Sequence, residues 1–236
     1  MAKKQALKEY RAKRDFQQSP EPTGDSVKAP RRRASKLIFC VQMHLASHLH
    51  YDFRLEHNGV LLSWAVPKGP SLNPSDKRLA MQVEDHPKEY ADFEGIIPSG
   101  YGAGIVMLWD YGTWEPIENL EDGLEKGHFK FNLMGTKLKG SWAMARIARS
   151  FGSKPQWLLI KHADEWSGAI DIVTFAPLSV KSSRDFKGIL KSSGYPEEWS
   201  EKPPAKGGEA GQMYASLLKS VPVKTLSKKL TWQSNK

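Results

Sequence analysis

A chain of 236 residues with 39% hydrophobic and 26% charged residues has room for one sizeable core or two small ones. No apolar run approaches the ~20 residues a membrane helix needs, which argues against a spanning protein. The single cysteine, Cys40, excludes an internal disulfide and a thiolate zinc cluster, and the basic start has no apolar signal region, so a reducing, intracellular setting is expected.

The net charge of +9 is unevenly spread. Residues 1–36 hold 11 Lys/Arg against 4 Asp/Glu, residues 181–236 hold 11 against 5, and residues 37–180 hold 13 against 17. Basic flanks around a mildly acidic body suit a polyanion held near a site that itself needs carboxylates, so nucleic acid is the favoured partner.

Residues 1–36 read as a basic N-terminal arm. A short helix over 3–16 is broken by Ser19-Pro20-Glu21-Pro22-Thr23-Gly24, and Arg31-Arg32-Arg33 leads into the body. The arm is too polar to fold alone and is expected to be mobile or laid across the body. From 37 to 180 the pattern turns to short apolar or alternating runs. These are Ile38–Leu45, Leu49–Glu56, Val60–Ala65, Leu79–Val83, Gly104–Trp109, Gly112–Glu115, Lys130–Leu133, Gly140–Arg146 and Trp157–Lys161. Such spacing predicts an all-β, mainly antiparallel sandwich or barrel. Leu120–Lys126 can form one helical turn, and Trp64, Trp109, Trp114, Trp142 and Trp157 are assigned to the core. The glycine-dense stretch 94–104 lacks the Gly-Lys-Ser/Thr ending of a phosphate loop and is read as hairpin turns. Residues 181–236, rich in Lys, Ser, Pro and Gly, are predicted to be a flexible basic tail with at most a short helix near Met213–Lys219.

The stretch Phe39–Glu56 is the most informative. With a strand's period of two, His48, His50, Asp52, Arg54 and Glu56 share one face and Leu49, Tyr51, Phe53 and Leu55 the other. In the preceding strand Gln42 and His44 share a face, opposite Phe39, Val41, Met43 and Leu45. Alternate strand residues lie ~7 Å apart, close enough for His50 and Asp52 to share a metal ion, and the turn at Ala46-Ser47 can fold His44 back beside them. Two imidazoles and a carboxylate suit Mn²⁺, Fe²⁺ or Zn²⁺ with coordination positions left open. Arg54 adds a bidentate fork for a phosphate. His86, ahead of Pro87, is biased to extended backbone and can project towards this group, with Tyr90 near it. Two other classes fit parts of this pattern: a non-haem iron oxygenase, which uses the same donor set, and a non-catalytic nucleic-acid-binding barrel.

The string Val41-Gln-x-His-x-Ala-x-x-Leu-His-Tyr-Asp-Phe-Arg-Leu-Glu56 closely resembles the 3′-phosphoesterase module of bacterial DNA ligase D and its stand-alone homologues. So do Ser63–Ser71, Val83-Glu-Asp-His-Pro87, Phe93-Glu-Gly-x-Ile-Pro98, Tyr101-Gly-x-Gly104, Gly112–Glu115, Leu138-x-Gly-x-Trp142 and the arm from Tyr10 to Gly24. The resemblance implies a compact β-barrel enzyme, Mn²⁺-dependent with other divalent transition metals as substitutes. Such an enzyme removes a 3′-terminal ribonucleoside from a DNA primer-template and then hydrolyses the remaining 3′-phosphate. It further implies His44, His50 and Asp52 as metal ligands, and Arg54 and a protonated His86 as phosphate holders. Gln42, Lys68, Arg78 and Tyr90 would be supporting groups, and the arm would contribute Arg14, Asp15 and Glu21. A monomer in the cytoplasm, associated with the nucleoid, is expected, with no membrane role. Because no Lys-x-Asp-Gly nucleotidyl-transfer motif is present, a ligase, polymerase or end-binding partner would be a separate protein. His48 departs from the family pattern, where Arg or a hydroxyl residue is expected.

Overall fold

The computed structural model describes residues 5–25, 36–148 and 154–221, so the Arg31–Arg33 run lies outside the described residues. Strands β1 (Leu37–Leu45), β2 (Leu49–His57), β3 (Val60–Val66) and β4 (Lys77–Gln82) run antiparallel in order. After the two-residue β5 (His86–Pro87) and a 3₁₀ turn at Lys88–Asp92 come β6 (Gly95–Ile97), β7 (Gly104–Pro116), β8 (His128–Gly135), β9 (Lys139–Arg146) and β10 (Gln156–Lys161). The order β1-β2-β3-β4-β10-β9-β8-β7, with β7 pairing back onto β1, closes an eight-stranded antiparallel barrel. Closure leaves no long edge exposed. The predicted barrel is therefore the one observed.

The two predicted runs Gly104–Trp109 and Gly112–Glu115 are one strand. Its register against β1 shifts between Val41 and Gln42, a bulge that lets a 13-residue strand bend around the wall. The buried Asp110 carboxylate just past this shift accepts the backbone N–H groups of Tyr111, Lys137 and Leu138 and so pins the β8–β9 turn.

Period-two alternation sorts the barrel wall into two faces. Phe39, Val41, Tyr51, Phe53, Trp64, Trp109, Trp114, Phe129, Phe131, Trp142 and Trp157 fill the principal core, and the five tryptophans are each at most 2% exposed. A second cluster on the opposite face of β1 and β7 joins Cys40, Val106 and Leu108 to Leu7 and Tyr10 of the arm and to Tyr90 and Phe93. The arm therefore lies across the body. Its helix, Lys8–Ala12, is one face of a cover, and Tyr10 donates its hydroxyl to the Pro22 carbonyl, folding the arm back on itself.

The expected flexible tail is corrected as far as residue 221. Helices at Phe186–Ser193 and Gly208–Ser220, with a 3₁₀ turn at Glu197–Ser200, pack into the principal core through Phe186, Ile189, Leu190, Trp199 and Tyr214. Apolar residues at i, i+3 and i+4 among Lys, Ser and Gly make one buried stripe per helix, which average composition conceals. The Asp185 side chain caps the first helix through the Gly188 N–H. The Trp199 indole donates to the Pro98 carbonyl at 2.8 Å and meets the Tyr214 ring edge-on at 5.6 Å.

Replacing Trp199 by Ala should cost about 3–5 kcal/mol in a denaturant melt, because it removes a buried aromatic and a buried hydrogen bond together. A melt unchanged from wild type would return this segment to the status of a loose tail.

Candidate metal centre

The register of β1 on β2 sets Gln42 opposite Asp52 and His44 opposite His50, so one face of a two-strand ribbon carries the polar group. His44 Nδ1 lies 3.6 Å and His50 Nε2 3.7 Å from the same oxygen, Asp52 Oδ2. One donor atom from each of the three side chains falls within 4.8 Å of the other two, and among the described residues this is the group with metal-ligating geometry.

Hydrogen bonds to backbone fix both rings. His44 Nε2 donates to the Gly102 carbonyl at 3.0 Å and His50 Nδ1 donates to the His48 carbonyl at 3.0 Å. Since a carbonyl only accepts, these bonds place one ring proton of each outward, and in the neutral ring His44 Nδ1 and His50 Nε2 are then the lone-pair nitrogens on the Asp52 side. Burial lowers the pKa of His50 below the ordinary histidine range, against the pull of Asp52, which favours the neutral ligand form. Burial opposes ionisation of Asp52, yet Arg54, His50 and His44 together hold its carboxyl well below the usual carboxylate range. The donor set of two neutral imidazoles and one carboxylate fits a divalent transition metal.

Arg54 continues the same face, and its guanidinium is held on two sides. Nε donates to Gln42 Oε1 at 2.8 Å and Nη2 to Asp52 Oδ2 at 3.1 Å. Gln42 is locked in turn by donating to the Tyr90 and Phe93 carbonyls. Arg54 Nη1 is buried with no hydrogen-bond partner. A buried N–H of a cation left unpaired costs on the order of 1–3 kcal/mol or more, a cost that an anionic oxygen placed there would offset.

The polar face is not solvated; it is roofed. Arg14 reaches from the arm, donating to Glu21 at 2.8 Å, to Glu84 at 3.1 Å and to His86 Nε2 at 3.0 Å. His86 Nδ1 donates to the Glu84 carbonyl, so its Nε2 is the acceptor and the ring is neutral. Full burial, then the neighbouring Arg54 and Arg14, drive the His86 pKa well below its usual value. The protonated His86 expected from sequence is thus corrected for the free site: two guanidiniums beside a buried imidazole exclude a third cation. Tyr90 donates to Glu21 at 3.0 Å and has its pKa pushed well above the usual value by burial and by Glu21.

Other expected site residues make contacts of their own. Arg78 is paired with Asp76 at 2.9 Å, and Lys68 is exposed beyond the end of β3. Asp15 is exposed and accepts from the Gln17 N–H, closing a turn of the arm. His48 is exposed; it contributes its backbone carbonyl to His50 and its ring to Ser47. Sequence reasoning missed the roles of Glu84, which gathers Lys13 and Arg14, and of Gly102, whose carbonyl aims His44. Glu84 stood in view two residues before His86; a backbone acceptor leaves no sequence signal.

Comparison with known proteins agrees with this geometry. Residues 42–146 match the model of the DNA Ligase D 3′-phosphoesterase domain. The multifunctional non-homologous end joining protein LigD of Pseudomonas aeruginosa is 47% identical over 217 residues, 90% of this chain and 25% of that protein. The multifunctional non-homologous end joining DNA repair protein LigD of Mycobacterium tuberculosis is 45% identical over 148 residues, 59% of this chain and 18% of that protein. The corresponding LigD protein of Mycolicibacterium smegmatis is 33% identical over 202 residues, 82% and 25% respectively. The chain thus spans at most about a quarter of these relatives. Over the stretch that carries His44, His50, Asp52, Arg54 and His86, it belongs to the DNA ligase D 3′-phosphoesterase domain family.

Proposed function

We propose that this chain is a Mn²⁺-dependent phosphoesterase that heals DNA 3′ ends. It takes a primer-template ending in a ribonucleotide, releases the terminal ribonucleoside, and then hydrolyses the 3′-phosphate to a hydroxyl fit for synthesis or ligation. The observation that carries the reading is the unpaired, buried Nη1 of Arg54 beside two imidazole lone pairs that converge on Asp52. The relatives are named for non-homologous end joining, so the repair setting proposed is the same, with ligase and polymerase activities as partners.

His44, His50 and Asp52 would hold the metal, which supplies Lewis-acid polarisation of a phosphoryl oxygen and a lowered pKa for water. Arg54 offers its free N–H to a non-bridging oxygen, and its two fixed bonds hold that donor in place before substrate arrives. The neutral His86 accepts from Arg14; an incoming phosphate oxygen competes for the Arg14 guanidinium and supplies the negative charge that allows His86 to take up a proton and donate in turn. Tyr90 and Gln42 position these groups, with Glu21 and Arg14 supplied by the arm. Lys68 and Arg78 are supporting groups in this reading. Asp15 acts by shaping the arm.

Asp52→Asn keeps the size of the side chain and removes its charge. It should lower Mn²⁺ affinity in calorimetry by at least ~10-fold and release of a 3′-ribonucleoside by at least ~100-fold, with the protein still folded by circular dichroism. Full cleavage by a folded Asp52→Asn protein would eliminate the metal reading.

Arg14 touches His86, Glu21 and Glu84 but none of the three ligands. Arg14→Ala should therefore leave Mn²⁺ affinity within about twofold while slowing 3′-phosphate hydrolysis by ~10–100-fold in single-turnover assays. Equal loss of metal binding and hydrolysis would mean that the arm supports the fold of the centre rather than the phosphate.

A further inference from the structure

The loop joining β6 to β7 has a second role beyond its Gly102 carbonyl. Tyr101 stands between Gly100 and Gly102, whose φ values of +80° and +78° are left-handed conformations that favour glycine. A turn bond from Ala103 N–H to the Gly100 carbonyl closes the tip. The loop is also held from outside, by Trp199 on Pro98 and by His44 on Gly102. Tyr101 is therefore presented from a tethered turn, one residue from the acceptor that aims a metal ligand.

Its side chain is 47% exposed, whereas the other aromatics of this region, Tyr10, Tyr90 and Phe93, are buried. Lys13 Nζ and Arg14 Cζ lie 5.0 Å and 5.5 Å from the ring centroid, and Glu84 holds both cations from their other side. Its hydroxyl makes no hydrogen bond to any described residue. A half-exposed aromatic ring with two fixed cations held over it, beside the acceptor of His44, has the composition of a nucleotide-stacking platform.

We propose that Tyr101 is a substrate-positioning residue that stacks on the base of the 3′-terminal nucleoside. The inference rests on the phosphoesterase reading of the site. Stacking on a base is sequence-tolerant, since every base has a π-face, so the platform would select for the presence of a terminal nucleoside and not for its identity.

The test compares wild type, Tyr101→Phe and Tyr101→Ala on primer-templates whose terminal ribonucleotide either carries or lacks its base, with Mn²⁺. Tyr101→Ala should raise KM about tenfold on the complete end with kcat changed less than about twofold, and should add nothing on the abasic end. Tyr101→Phe should match wild type on both, because the face is kept. Mn²⁺ affinity by calorimetry should be the same in all three proteins. Equal penalties on complete and abasic ends, a KM unchanged in Tyr101→Ala, or a parallel loss of Mn²⁺ affinity would each overturn the platform. Absence of Mn²⁺-dependent cleavage by wild type itself would instead overturn the phosphoesterase reading, and this inference with it.

Discussion

The Asp52 carboxylate is the constraint around which the site is arranged. It is buried on the outward face of β2, it receives Arg54 at 3.1 Å, and it is the common neighbour of His44 and His50. A charge removed from water is stable only with partners, and one of the candidate partners here, His50, has its pKa lowered by burial. Arg54 supplies the counter-charge. With Arg54 committed on Nε and Nη2, Nη1 is left buried with no acceptor among the described residues, so the pairing that stabilises Asp52 also leaves one N–H of the guanidinium to be satisfied.

Burying this face on the outside of a barrel requires a cover, and the arm provides it with matched charge. Arg14 and Lys13 enter; Glu21 and Glu84 receive them, with Glu84 held ionised below its usual pKa against the opposing effect of burial. The basic arm is thus more than a polyanion-attracting flank: two of its cations are consumed in docking it to the body. Tyr10 stacks its ring edge-on with His86 at 4.9 Å and Arg14 lies over the Tyr10 ring at 4.0 Å, so apolar burial and charge pairing act on the same few residues.

The barrel and the ligand face were open to reading because both follow from a period of two. The alternation of His50, Asp52 and Arg54 with Tyr51 and Phe53 states which side chains share a side, and strand pairing then needs only the Ala46-Ser47 turn to bring His44 opposite His50. The roof was less open to reading. Nothing local in Glu84 indicates that Arg14, 70 residues away, will meet it, and nothing in Gly102 shows that its carbonyl will orient His44. His86 was given a charge that its burial and its neighbours disfavour, because a pKa depends on burial and on Arg54 and Arg14, which sequence order does not reveal. The C-terminal helices were hidden for a different reason: their apolar residues are few, and average composition over 181–236 is dominated by Lys and Ser.

Those helices bear on the chemistry through His44. Tyr214 donates to the Leu45 carbonyl, the residue after His44, and Trp199 donates to the Pro98 carbonyl at the start of the loop that presents Gly102. The strand that carries the ligand and the loop that orients it are therefore braced by the same C-terminal segment, whose aromatics pack against each other. Two imidazoles and a carboxylate on a β-barrel also describe non-haem iron oxygenases, so the donor set alone does not choose a reaction. What distinguishes this site is outside the donor set: a guanidinium tied to the ligating carboxylate itself, a second guanidinium held on His86, and backbone bracing that fixes the direction of each group. Preorganised cations of that kind favour charge on phosphoryl oxygens, which is the demand of phosphoester chemistry and not of oxygen activation.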